Sequence, residues 1–140
     1  MDFLSALHIS ASGLSAERVR VNAASSNLAN ADSTRGPDGE PYRRIDPVFS
    51  AEPLESSSPT AGVGPAMVKV EALQEDEGPG RRVYLPSHPD ADASGFVTLP
   101  NVNPIHEVVN LMSASRAYEA NATAVDTLKT MAQRALDIAR

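Results

Sequence analysis

The stretch NPIHEVVNLMSASRAYEANATAVDTLKTMAQRALDIAR, residues 103–140, decides the fold because its apolar and small residues recur at helical spacing. Asn103 is suited to cap a helix N-terminus, and Pro104 fits the first helical position. The pattern then continues to the end of the chain, which predicts one helix about 50 Å long. The positions of this stripe are Leu111, Ser115, Tyr118, Ala122, Val125, Leu128, Ala132, Ala135 and Ala139.

A second helix, from about residue 2 to residue 30, is predicted at the other end of the chain. There Leu7, Leu14, Val21 and Leu28 recur every seven residues. A heptad-like stripe of this kind is typical of a helix that packs along a partner helix. We expect the two terminal helices to form a coiled-coil-like pair, with small residues on the stripes permitting close approach.

The region between the helices is rich in proline and glycine. All eleven prolines lie between Pro37 and Pro104, and proline breaks helices. Short β-like runs at 66–72, 82–85 and 95–99 surround an acidic turn at 74–80 and predict a small β-hairpin element.

These patterns define the predicted fold class, which is mainly α with a small β element. Residues 53–65 are rich in Ser, Pro and Gly and are typical of a flexible linker. We predict three regions: an N-terminal helical arm at 1–33, a middle region at 34–103 and a C-terminal helical arm at 104–140.

Composition and charge exclude several classes of function. The net charge is −6, which argues against a nucleic-acid partner because phosphate binding needs a basic surface. The excess acid lies in residues 31–104, whereas both ends are neutral. There is no Cys, so disulfides and thiolate metal sites are excluded. The N-terminus has no signal-peptide pattern, and no apolar run is long enough to span a membrane.

No set of residues has the spacing of a catalytic, cofactor or metal site. Asp90, Asp92 and Gly95 copy the first half of a calcium-binding loop, but Asn101 stands where a bidentate Glu is needed. A polar turn with Gly95 at positive φ is the favoured interpretation. The pair Arg43-Arg44 is interpreted as a solvated turn. We therefore predict a protein that is not an enzyme and has no cofactor.

The two helices alone would leave several apolar residues in water, including Phe3, Ile9, Val19, Val109 and Met112. One explanation is that each helix pair needs neighbouring subunits, because helices gain most of their stability from packing. A small helical hairpin that works as a soluble binding or adaptor module accounts for the stripes equally well.

Three blocks of the sequence resemble the flagellar basal-body rod protein family and, within it, the proximal-rod branch. The block SNLANADS, residues 26–33, is similar to the family's Asn-rich signature, and Tyr42-Arg43-Arg44 follows it after a long turn. The other two blocks are HPDADASGFVTLPNVN, residues 88–103, and EVVNLMSASRAYEAN, residues 107–121. The last block carries the most specific resemblance.

The resemblance implies a structural subunit of the proximal rod, which is the drive shaft that transmits torque for motility. Subunits would stack as a helical tube in the periplasm, with the terminal helices lining its inner wall. They would leave the cytoplasm through the flagellar type III export apparatus without a cleaved signal peptide. The implied partners are further copies of the chain, other rod proteins and the adaptor that joins the rod to the inner-membrane ring.

Two sets of residues are candidates for this role. The stripe residues expected to pack between subunits are Leu7, Leu14, Val21, Leu28, Leu111, Tyr118, Val125 and Leu128. The residues that match the family's motifs are Asn27, Asn30, Asn103, Pro104, Ser113, Ser115, Arg116, Tyr118 and Asn121.

Overall fold

Two long antiparallel helices dominate the fold in a computed structural model that describes residues 3–36, 38–54 and 64–138. Helix α1 spans Phe3–Ala29 and helix α2 spans Pro104–Ile138. The end of α1 meets the start of α2, where the side chains of Asn27 and Glu107 are hydrogen-bonded. Most of the predicted linker at 53–65 lies outside the described residues.

The start of α2 is capped as the sequence predicts. The side-chain oxygen of Asn103 accepts a hydrogen bond of 3.0 Å from the backbone N–H of Ile105. Pro104 is the first residue of the helix, where its missing N–H leaves no helical bond unmade.

The seam between the helices is built from small residues. Ala16, Ala23 and Ala24 on α1 and Ala114 on α2 are buried. A Cβ atom on Gly13 would lie only 3.0 Å from the Nδ2 atom of Asn121. Since the distance between packed helices depends on the side chains at the contact, alanine and glycine let these two backbones approach closely.

The larger residues of the predicted stripes flank this seam. All of them are half-buried except Tyr118, which is 41% exposed. Their position follows from the close approach of the backbones, because a branched side chain at the centre of the seam would push the helices apart. The half-buried stripe residues are Leu7, Leu14, Val21, Leu28, Leu111, Val125 and Leu128.

The described part of the middle region contains two small antiparallel sheets. Strand β1 (Ile45–Pro53) pairs with β2 (Ala66–Glu75), with an irregularity in register between Val48 and Phe49. Strand β3 (Arg81–Tyr84) pairs with β4 (Phe96–Leu99). The predicted fold class, mainly α with a small β element, is confirmed.

The β element differs in one respect from the sequence expectation. The acidic segment after β2 joins the two sheets and does not connect two paired strands. Strand β1 went unpredicted because Pro47 and Pro53 interrupt its pattern. Proline is tolerated in a sheet only where its missing N–H is not needed, and β1 has a free edge in its two-stranded sheet.

Candidate assembly site: a buried polar hub and an exposed apolar surface

The Asn27 side chain joins the end of α1 to the segment that leads into β1. It is 1% exposed. Its Nδ2 atom donates to the carbonyl oxygen of Ile45 at 2.9 Å, and its Oδ1 atom accepts from the N–H of Ile45 at 2.9 Å. The hydroxyl of Tyr42 also donates to Oδ1 at 2.9 Å. The amide therefore makes the two bonds that a paired strand would make to Ile45.

Glu107 brings the start of α2 into the same cluster. Its carboxylate, 1% exposed, accepts from Asn27 Nδ2 at 3.1 Å and from Arg44 Nε at 2.7 Å. Arg44 also pairs with Asp46. A buried charge is costly unless it is paired and hydrogen-bonded, and both oxygens of Glu107 have donors. Below, "the hub" means the side chains of Asn27, Arg44 and Glu107.

Arg44 stays charged in this setting. Burial alone lowers the pKa of its guanidinium, but the hydrogen bonds to Asp46 and Glu107 outweigh that effect and raise the pKa above its ordinary value. The interpretation of Arg43-Arg44 as a solvated pair is thus wrong for Arg44. It holds for Arg43, which is exposed and pairs with Glu40. Neither Arg44 nor Glu107 carries a pattern that reveals burial, because only the folded chain brings positions 27, 44 and 107 together.

The other motif residues are spread over different environments. Asn30 donates from Nδ2 to the carbonyl of Ser26 at 2.9 Å and so closes the last turn of α1. Asn121 faces Gly13 across the seam. Ser115 is half-buried, whereas Ser113 and Arg116 are exposed. Only Asn27 among them belongs to the hub.

Helix α2 exposes an apolar surface close to the hub. Four residues near its N-terminus lie on one face of the helix, outside the seam with α1: Ile105 (74% exposed), Val108, Val109 and Met112. We call these four residues the outer stripe. Clustered apolar residues in water mark interaction surfaces more often than isolated ones do.

A groove runs along the other flank of the helix pair beside Tyr118. Its volume is about 490 Å³, and the predicted packing residues Leu14 and Tyr118 both line it together with Arg18 and Val19. Polar and apolar atoms share its walls, so the groove suits a side chain from another helix.

The segment from Asp90 to Gly95, which resembles the first half of a calcium-binding loop, forms a turn. Asp92 accepts from the N–H groups of Ser94 at 2.8 Å and Phe96 at 2.9 Å, and it pairs with Arg82. The hydrogen bond from Phe96, followed by the one from Ser94 and the charge of Arg82, holds the pKa of the Asp92 carboxyl below its ordinary value. Gly95 has a φ of 80°, as predicted.

Two cavities border the hub. The one beside Asn27 and Glu107 has a volume of about 120 Å³, and the one beside Arg44 and Glu107 has a volume of about 340 Å³. Within residues 3–36, 38–54 and 64–138, no group of three or more His, Asp or Glu residues is placed to hold a metal ion. No helix in that part of the chain is long and apolar enough to cross a membrane.

A closely packed helix pair, a buried polar hub and exposed apolar stripes define a class of protein that works by packing against other proteins. Comparisons with known proteins give the family. A family model described as "Flagella basal body rod protein" matches residues 7–37. A second model, "Flagellar basal body rod FlgEFG protein C-terminal", matches residues 93–138.

Curated relatives match along almost the whole chain. The flagellar basal-body rod protein FlgC of Escherichia coli O157:H7 is 44% identical over 138 residues, which cover 99% of this chain and 98% of that protein. FlgC of Bacillus subtilis is 44% identical over 144 residues, with 96% of each chain covered. FlgC of Borreliella burgdorferi is 38% identical, covering 99% of this chain and 98% of its own.

The chain belongs to the FlgC family of flagellar basal-body rod proteins. It is a structural subunit of the proximal rod of the bacterial flagellum and not an enzyme. Its place is the basal-body rod, where it assembles with other rod proteins. The resemblance carried by residues 26–33, 88–103 and 107–121 is thereby confirmed.

Proposed function

We propose that the chain polymerises through the outer surfaces of its two terminal helices, and that the resulting shaft transmits torque. The observation that carries this is the outer stripe. Ile105, Val109 and Met112 are each more than half exposed on a helix whose other face already packs on α1. Burying a Val, Ile or Met side chain contributes about 1.5–3 kcal/mol, so covering this stripe would stabilise a subunit contact strongly.

The groove beside Tyr118 supplies a second contact on the opposite flank. Tyrosine gives a large contact area with few rotatable bonds and is enriched where interfaces bind most strongly. Half-buried Leu14 and Val21 border the same region. With contact surfaces on two flanks, each helix pair has room for neighbours on both sides, as a closed tube requires.

The remaining partners and the location are part of the same proposal. The rod tube lies in the periplasm, and subunits reach it through the flagellar type III export apparatus without a cleaved signal peptide. The chain contacts further copies of itself, other rod proteins and the adaptor to the inner-membrane ring. The neutral helices suit packing, and the acidic middle suits the solvated outside of a tube.

The experiment is a matched pair of substitutions on α2, tested in cells for swimming, for protein level by immunoblot and for rods by electron microscopy. Val109→Asp places a charge on the outer stripe and is expected to abolish rods while the protein is still made. Gln133→Asp adds the same charge at an exposed polar position of the same helix and is expected to leave swimming intact. Normal rods in Val109→Asp cells would remove the outer stripe from the subunit contact.

A further inference from the structure

The backbone N–H of Val68 points away from the β1–β2 ladder. Just past the end of the ladder, the N–H of Leu54 donates to the carbonyl of Pro65 at 3.2 Å. Hydrogen-bonded and non-hydrogen-bonded pairs alternate in an antiparallel ladder, so the pair of Ala51 with Val68 is of the non-hydrogen-bonded kind. The outward N–H of Val68 donates instead to the hydroxyl of Ser12 on α1 at 3.1 Å. The outer edge of β2 is therefore attached to α1 at this point.

The base of the hairpin is attached to α1 by its opposite edge. There the N–H of Asp76 donates to the carbonyl of Arg44 at 2.7 Å, so the next residue, Ile45, has its N–H and C=O pointing outward. The side chain of Asn27 on α1 bonds both of these groups at 2.9 Å. Helix α1 thus holds the outer edge of β1 at the base of the hairpin and the outer edge of β2 farther along it.

The spacing of the two attachments is the same on the helix and on the hairpin. Ser12 and Asn27 are separated by a length of α1 of about 22 Å, at the helical rise of roughly 1.5 Å per residue. Ile45 and Ala51, the residue opposite the second attachment, are separated by about 20 Å at the rise of an extended strand. Between them Phe49 lines a cavity together with buried alanines of α1. The hairpin therefore lies along α1 with neither element stretched.

A bulge lies between the two attachments. Val48 pairs with Ala72, but the next residue of β1 pairs with Val70. Glu71 is therefore one extra residue on β2. A bulge bends its strand and increases the right-handed twist of the pair. A flat hairpin would present the same edge to α1 along its whole length, so the change from the edge of β1 to the edge of β2 requires the sheet to rotate about its long axis.

We propose that Ser12 and Glu71 are positioning residues that fix the direction of the β1–β2 hairpin along α1. The hydroxyl of Ser12 donates to the carbonyl of Ile9 in its own helix at 2.7 Å while it accepts from Val68, which holds the acceptor oxygen toward β2. Glu71 acts through its backbone. Its side chain is exposed, and the extra residue turns the outer edge of β2 toward α1. Without either residue the strands stay paired, but the hairpin moves away from α1 beyond its base.

Amide hydrogen exchange tests the contact in the purified full-length chain, in an osmolyte buffer that favours the folded state. Ser12→Ala should speed exchange at Val68 about tenfold, the equivalent of one net hydrogen bond. Exchange at Lys69, whose N–H points into the ladder, should not change. Ser12→Thr should keep Val68 protected, since a threonine hydroxyl also bonds a carbonyl one turn back in a helix. The matched control, Ser25→Ala, changes an exposed serine of the same helix and should also keep it protected.

A second pair of variants separates the side chain of Glu71 from its place in the chain. Glu71→Ala keeps the extra residue and should leave the hairpin in place. Deletion of Glu71 removes the bulge and should release Val68 as Ser12→Ala does. Spin labels on Ala29→Cys and Lys69→Cys report the position of the hairpin, because the native chain has no Cys. We expect one narrow distance in the native background and with Glu71→Ala, and a broad distribution after the deletion.

Three outcomes overturn the proposal. If Val68 stays protected in Ser12→Ala, the hydroxyl does not hold the edge of β2. If Lys69 loses protection together with Val68, Ser12 stabilises the sheet itself and does not position it. If deletion of Glu71 leaves the distance narrow, the bulge does not turn the hairpin. None of these readouts depends on rods or swimming, so each outcome leaves the proposed packing between subunits standing.

Discussion

The terminal helices and the middle region differ in which residues they bury and in how they are held together. The helices bury alanines along one narrow seam and leave large apolar residues such as Ile105 and Met131 in water. The middle region buries a few residues of its own, chiefly Val97, Leu99 and Val102. It holds its loops by hydrogen bonds and ion pairs. The difference teaches that the helices leave a continuous apolar face for further packing, whereas the middle region exposes single apolar side chains, such as Leu73 and Tyr84, on different sheets.

The largest effect is expected from a charge at the helix pair. Leu128→Asp places a carboxylate on a half-buried position of α2, at a cost on the order of several kcal/mol in every subunit where the assembled contact excludes water. We expect non-motile cells that still make the protein, judged by swimming assays, immunoblots and micrographs of basal bodies. Glu77→Gln changes an exposed charge of the middle region and should leave cells motile. Complete rods with Leu128→Asp, or lost rods with Glu77→Gln, would reverse the assignment of roles.

The hub joins the two helices to the middle region, so replacing Glu107 tests how much this junction contributes to the stability of the folded chain. Glu107→Ala removes the acceptor of Arg44 Nε and Asn27 Nδ2 and should lower the free energy of unfolding by about 3 kcal/mol, as for other buried ion pairs. Glu107→Gln retains the shape and one acceptor oxygen and should cost less. Urea unfolding followed by circular dichroism measures both. Equal stability of all three proteins would show that the hub bonds contribute nothing net.

A smaller and local effect is expected in the middle region from Gly95→Ala. The residue has a φ of 80°, and a Cβ atom there would lie 2.8 Å from Cε2 of Tyr84. The expected loss is about 1–2 kcal/mol, confined to the β3–β4 sheet. Amide hydrogen exchange should speed up at Val97 while the α1–α2 seam is unchanged. The control Gly39→Ala has a φ of 81° but open space around it, so it separates backbone strain from the clash.

The smallest expected effect is a loss of stability at acid pH in the turn that contains Asp92. Its folded pKa is depressed, so the stability it contributes is present above the unfolded pKa and is lost as the pH falls through the folded value. NMR titration should place its midpoint below the roughly 3.9 of a free Asp side chain. Hydrogen exchange at Ser94 and Phe96 should rise in the same pH range. In Asp92→Asn that pH dependence should vanish, and its persistence would assign the effect to another group.

The sequence alone predicted the elements whose evidence is local. Proline placement and the periodicity of residues 103–140 predicted two terminal helices, Asn103 and Pro104 predicted the start of α2, and Gly95 predicted a turn with positive φ. The period of the stripes did not predict which face forms the seam. Leucine and alanine at neighbouring positions both repeat every seven residues, and the choice between them depends on how closely the two backbones approach.

Only the tertiary structure determines which polar residues from distant parts of the sequence come into contact. Asn27 is recognisable as a motif residue, but Glu107 looks like an ordinary residue of a first helical turn, and Arg44 looks like half of a solvated basic pair. Their pairing depends on the antiparallel closure of helices that lie about 80 residues apart in sequence. Periodicity records which side of each helix is apolar. It does not predict which buried charges pair with each other, because the paired residues come close together only when the chain has folded.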